Sequence, residues 1–130
     1  MNNFTGDSSM KRDEEDEDII ISAEITDLDV AYKMVQINRS AKKRNIKFGL
    51  SLSKVKALLK TKKCFYTGVE MNHIHEHMDQ LTFDRVDNEK GYTDDNVVAC
   101  SRTINMRKTD LKISEIEMMY KALKKHGDIW

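Results

Sequence analysis

Apolar residues recur at helical spacing in three stretches of the chain. Val30, Met34, Ile37 and Ala41 fall three or four residues apart and predict one face of a helix. Thr26, with Asp29 three residues on, supplies a capping-box pattern at its start. After a break at Gly49, Leu52, Val55, Leu58 and Leu59 predict a second, short helix facing inward, capped by Ser51 or Ser53. In the third stretch Ile116, Met119, Tyr120 and Leu123 make an apolar face, and Ser114 with Glu117 forms a capping box. Lys121, Lys124 and Lys125 suit the negative end of that helix's dipole, and Gly127 is a natural stop.

Between the second and third helices the pattern changes. Cys64-Phe65-Tyr66-Thr67-Gly68 ends in a turn. Leu81 to Val86 has the β-branched and aromatic content of a strand, and Asp87 to Gly91 is a turn or loop. Asn96 to Cys100 fits a second strand or the approach to a helix, and Ser101 to Lys108 reads as helix. The expected fold class is therefore α+β. No internal repeat is evident.

Charge divides the chain more sharply than hydrophobicity does. The formal net charge of the 130 residues is zero. Residues 1–30 carry ten acids and two bases, including the unbroken acidic run from Asp13 to Asp18. Residues 31–63 carry eleven Lys or Arg and no acid, and residues 64–130 carry nine bases and twelve acids. A helical region with eleven like charges destabilises itself unless something anionic meets it. Phosphate contact is the expectation, and DNA the expected partner, with Arg39, Lys42, Lys43, Arg44, Lys47 and Lys54 as binding residues from this block. Three segments follow: a disordered acidic tail over 1–22, a basic helical region over 23–63 and a mixed region over 64–130. The tail reads as a solubilising segment, with a protein partner or competition with DNA for the basic block as alternatives. Neither an apolar leader nor a membrane span is visible, so a cytoplasmic protein is expected, in the host cytoplasm if phage-encoded.

Residues 64–130 carry the candidate chemistry. Phe83-Asp84-Arg85-Val86-Asp87-Asn88 is followed by Lys90-Gly91-Tyr92-Thr93, Asp95-Asn96-Val97-Val98 and Asn105-Met106-Arg107-Lys108. Asp and Asn in turn-rich segments are usually turn formers, and Asn96 alone would be read so. Asn105 within a helix and Asp84 within a strand stand where their residue types are disfavoured. Preceded by Cys64-Phe65-Tyr66-Thr67-Gly68, this order of motifs resembles the HNH endonuclease family, in particular phage and bacterial members with Asp-Arg in place of Asp-His. The resemblance covers roughly residues 46–120.

The resemblance implies a ββα-metal core with flanking helices, gripping one divalent ion. Asp84 and Asn105 match the metal ligands, and Asn96 matches the residue that orients the catalytic His. A carboxylate and an amide oxygen are hard ligands suited to Mg²⁺ or Mn²⁺. Arg107 and Lys108 would add phosphate contacts. The activity implied is metal-dependent DNA cleavage or nicking. Arg85, however, stands where the catalytic His should be, and a guanidinium cannot accept a proton. It can bind phosphate or stabilise developing negative charge. The base could come from the alternating His73, His75 and His77, which would share one face of a strand paired with the Asp84 strand. Asp87 is a second source, and attack without a protein base a third. The alternative to an enzyme is a degenerate HNH fold kept for binding DNA or a protein. Zinc is disfavoured, because Thr67 and Thr103 stand where zinc-bearing members complete two Cys-x-x-Cys pairs with Cys64 and Cys100.

Overall fold

A computed structural model describes residues 24–127, so the acidic tail lies outside the described residues. The fold is α+β, with helices packed beside two small two-stranded sheets. Helix α1 spans Asp27–Lys43, strand β1 Phe48–Gly49 and helix α2 Leu52–Leu59. Strands β2 (Leu81–Arg85), β3 (Tyr92–Thr93) and β4 (Val97–Ser101) follow, then helices α3 (Arg102–Lys108) and α4 (Ile113–Lys125).

Helix α1 starts as its sequence predicts. Thr26 Oγ1 accepts from Asp29 N, and Asp29 Oδ2 accepts from Thr26 N. Val30 and Ala41 are buried, with Met34 and Ile37 packed against the core. Ser51 caps α2 through the Lys54 N–H, and its own N–H and hydroxyl bond Asp94. Val55, Leu58 and Leu59 enter the core. Leu52, expected on the inner face, is exposed: it is the first residue of the helix, a turn before the buried Val55.

The centre of the molecule is the β2–β4 pair. The strands run antiparallel with Asp84 opposite Val98 and Phe83 opposite Ala99. Period-two alternation sends Leu81 and Phe83 into the core with Val97 and Ala99. Thr82 and Asp84 take the opposite face, where α3 lies. Helix α3 follows β4 without a loop, capped by Ser101. β1 and β3 pair in parallel, Phe48 with Tyr92 and Gly49 with Thr93. That pairing brings Gly91 so near Lys47 that a Cβ at Gly91 would lie 2.6 Å from the Lys47 carbonyl oxygen, which only glycine avoids. Gly68, with φ of 77°, closes the turn whose Gly68 N–H returns to Cys64 O.

Other expectations fail as well. Residues 73–77 form no strand, and β2 pairs with β4 instead of a histidine-bearing hairpin partner. One isolated bridge between Asn72 and Gln80, with turns between them, shapes that segment. The cap of α4 lies two residues before the expected Ser114: Lys112 is the N-cap residue, and Glu115 Oε1 accepts from Lys112 N. No residue of α4 is buried, and Met119, Tyr120 and Leu123 are about half exposed. The core is already closed by α1, α2 and the ribbon, so the apolar face of α4 meets no layer beneath it among the described residues.

Candidate active site

Asp84 reaches the ribbon face under α3 because strand alternation puts it there, and the site is built around its carboxylate. It is 8% exposed. Tyr66 donates its hydroxyl to Oδ2 at 2.6 Å, and Lys108 Nζ lies 3.2 Å from the same oxygen. Lys108 also donates to Arg85 O at 3.0 Å. A buried carboxylate is costly unless paired and hydrogen-bonded, and these two donors meet that cost. Burial, the hydrogen bond to Asp84 and the Asp84 charge all raise the Tyr66 pKa, so Tyr66 stays a proton donor. Asp84 Oδ1 accepts no hydrogen bond among the described residues.

Asn105 sits on α3 above the ribbon. Its Nδ2 donates to Thr82 Oγ1 at 3.0 Å and to Phe83 O at 3.3 Å. Thr82 spends its own hydroxyl proton on Cys100 O, so its oxygen is an acceptor and the Asn105 nitrogen must face the strand. Asn105 Oδ1 is left without a hydrogen bond among the described residues. Asn96, by contrast, is fully engaged. It accepts from Asp87 N and donates to Asp87 O and Gly91 O, clamping the loop between β2 and β3.

Arg85 is held on the other face of β2. Its Nη1 donates to Asn88 O and Lys90 O, and its guanidinium lies 5.3 Å from the Tyr92 ring centroid. Arg44, the residue that ends α1, approaches the same ring at 5.8 Å and donates to the Tyr92 hydroxyl. Neither arginine has a carboxylate partner among the described residues.

These groups share one cleft of about 550 Å³. It is lined by Phe83, Asp84 and Arg85 of β2, by Asn105 of α3, and by Arg44, Asn88 and Tyr92. Thr109 and Asp110 complete the rim. Thr109 has φ of 41° and ψ of −112°. For a β-branched residue this is a strained backbone, costing on the order of 1–3 kcal/mol.

The expected base candidates fall elsewhere. His73, His75, His77 and Asp87 do not line the cleft. His77 Nδ1 accepts from Asp79 N and pairs with Asn72, and the exposed His75 stands beside Glu76. His73 is half-buried, and burial lowers its pKa. Asp87 Oδ1 accepts from Glu89 N, as a turn former does. Among the basic residues, Arg39, Lys42, Lys43, Lys47, Lys54 and Arg107 form no ion pair among the described residues. Lys108 does not reach outward for phosphate: it is 6% exposed and turned onto Asp84.

Tyr66, Arg44 as a cleft residue and Asp110 were not foreseeable as site members. Tyr66 reads in sequence as part of a turn, Arg44 as one of eleven similar charges, and Asp110 as the polar end of a helix. The Asn-x-x-Lys helix offered the one available signal, since whatever follows it must turn beside Asn105.

Both cysteines are buried, and Cys100, paired opposite Thr82, shares the ribbon face of Thr82 and Asp84. Burial works to raise the Cys64 pKa. Hydrogen bonds from the Thr67 hydroxyl and the N–H groups of Ser101, Thr67 and Tyr66 outweigh it and lower the pKa. Burial pushes the Cys100 thiol up to about 12. Among the described residues no three His, Cys, Asp or Glu side chains gather around one point, and no helix is long and apolar enough to cross a membrane.

No protein-family model and no solved structure matches the chain. Over 87 residues it is 32% identical to an uncharacterized 29.0 kDa protein in the dda-modA intergenic region of enterobacteria phage T4. The match covers 67% of this chain and 35% of the phage protein, so the aligned region spans about a third of that relative.

Proposed function

We propose that this chain is an HNH-type, divalent-metal-dependent DNA endonuclease or nickase of phage type. One observation carries the reading. An antiparallel ribbon running directly into a helix brings Asp84 and Asn105 to one cleft, each with a side-chain oxygen that accepts no hydrogen bond among the described residues. Two orphaned hard oxygens fit Mg²⁺ or Mn²⁺, with water completing the shell. A bound ion would supply charge stabilisation to a phosphodiester in the cleft. Lys108 and Tyr66 hold the Asp84 carboxylate in place by its other oxygen. Arg44 and Arg85 offer unpaired guanidiniums to the phosphate, and the exposed bases of α1 extend the contact along the DNA backbone. The likeness to a phage protein supports the phage origin.

A second reading is favoured by one observation. Arg85 is tied to two loop carbonyls and stacked on Tyr92, a structural use of the position where the proton acceptor is expected. It makes the chain a degenerate module that binds DNA or a protein without cleaving. Supercoiled plasmid incubated with the protein and Mg²⁺ or Mn²⁺ separates the two. The nuclease reading expects nicked circles and their loss in Asp84→Ala. Binding without nicking, or nicking that Asp84→Ala leaves untouched, sinks it.

A further inference from the structure

We infer that Asp110 is the proton acceptor of this cleft, the role that Arg85 cannot fill. The inference rests on the nuclease reading above.

The ionisable groups on the cleft wall are Arg44, Asp84, Arg85, Tyr92 and Asp110. The two guanidiniums stay protonated at any pH the fold meets. The Tyr92 oxygen already accepts from Arg44. One oxygen of Asp84 is taken by Tyr66 and Lys108, and the other is assigned to the metal. Asp110 remains. It is exposed, forms no ion pair among the described residues, and its carboxylate accepts only the long 3.3 Å hydrogen bond from Thr109 Oγ1.

The backbone gives a second, independent argument. Leu111 N–H donates to Lys108 O at 2.9 Å, closing a tight turn whose central residues are Thr109 and Asp110. With φ of 41° and ψ of −112° at its first central residue, this turn has the type II′ geometry that glycine favours. Thr109 is β-branched and adopts it regardless. The turn carries the chain from α3 into α4 and brings Asp110 into the lining of the cleft that holds Arg44, Arg85, Asp84 and Asn105. Strained backbone is retained where the surrounding structure over-determines it, and here it coincides with the cleft's free carboxylate.

The step balances without a further reagent. The oxygen of a water molecule forms a bond to phosphorus while one of its protons passes to the Asp110 carboxylate. The P–O bond to the leaving sugar oxygen breaks, the electron pair departs on that oxygen, and solvent supplies its proton. Arg44 and Arg85 balance the charge that gathers on the non-bridging oxygens.

The test uses the full chain, supercoiled plasmid and Mn²⁺, with Asp110→Asn and Asp110→Glu beside the wild type. Three quantities are read: single-turnover nicking rate, DNA affinity, and Mn²⁺ affinity without DNA. Asp110→Asn should slow nicking by about 10²–10⁴-fold, the usual worth of a general base, with both affinities within about twofold of wild type. Asp110→Glu should recover part of the rate. Nicking by Asp110→Asn at the wild-type rate overturns this inference and leaves the nuclease reading standing. Loss of Mn²⁺ binding in Asp110→Asn overturns it as well, since the residue would then be a ligand. A wild type that binds DNA and never nicks overturns both.

Discussion

On its α3 side the cleft is closed around a negative group, and on its α1 side it is open around positive ones. Asp84 is buried and its charge is met by Lys108 and Tyr66. Arg44 and Arg85 flank an aromatic ring and meet no carboxylate among the described residues. The two sides follow different physical rules. Removing one member of a buried ion pair strands the other in low dielectric, so the α3 side should govern stability. An exposed arginine without an anionic partner, such as Arg44, has no ion pair to lose and keeps its charge for a ligand. Changes on the α1 side should therefore register mainly in DNA binding.

The largest departure from that division would come from Lys108. Lys108→Met leaves Asp84 buried and unpaired, and should cost about 3–5 kcal/mol in urea unfolding. Adding Asp84→Asn should restore much of the loss. A Lys108→Met protein as stable as wild type would erase the contrast. Asn96→Ala tests the loop that joins the two sides. Three hydrogen bonds to Asp87 and Gly91 disappear, and a loss of about 2–3 kcal/mol is expected.

Alkaline pH probes the ribbon beneath the cleft. The unfolded chain ionises Cys100 near its ordinary 9.0, whereas the folded chain holds the proton to about 12. The stability this contributes is full below pH 9 and is lost as pH rises toward 12. Cys64, with its pKa lowered, has given its full contribution by pH 9 and does not oppose that fall. The urea midpoint of the wild type should decline between pH 9 and pH 11, and Cys100→Ala should flatten the slope. Tyr66, raised in the same sense, adds to the decline above pH 10.

The smallest effect belongs to the α1 side. Arg44→Ala should leave the unfolding midpoint nearly unchanged while weakening DNA binding and lowering the salt dependence by about one phosphate contact. A destabilised Arg44→Ala protein with unaltered DNA affinity would reverse the assignment of the two sides.

Much of the scaffold was legible in the residue pattern. The Thr26–Asp29 cap, the inward faces of α1 and α2, and the strand at Asp84 follow from local periodicity and capping chemistry. What failed depended on partners distant in sequence. The alternation of His73, His75 and His77 suggests a strand face, yet a strand needs a neighbour, and the only ladder β2 forms among the described residues is with β4 while the histidine segment folds into turns. The apolar face of α4 suggests core, yet nothing among the described residues lies beneath it. In the site, Asp84 and Asn105 could be named because the order of motifs resembles the HNH family, with residue types out of place in a strand and a helix adding weight. Asp110 could not, since an aspartate after a helix is unremarkable until the turn at Thr109 places it on the cleft.

The central claim is that Asp84 and Asn105 together hold one divalent ion, and Mn²⁺ binding by the metal-free protein tests it without reference to catalysis. Titration followed by electron paramagnetic resonance should show one saturable Mn²⁺ per wild-type chain, and Asn105→Ala should lose it while keeping a cooperative unfolding transition. No saturable Mn²⁺ in the wild type, or the same affinity in Asn105→Ala, would contradict the account.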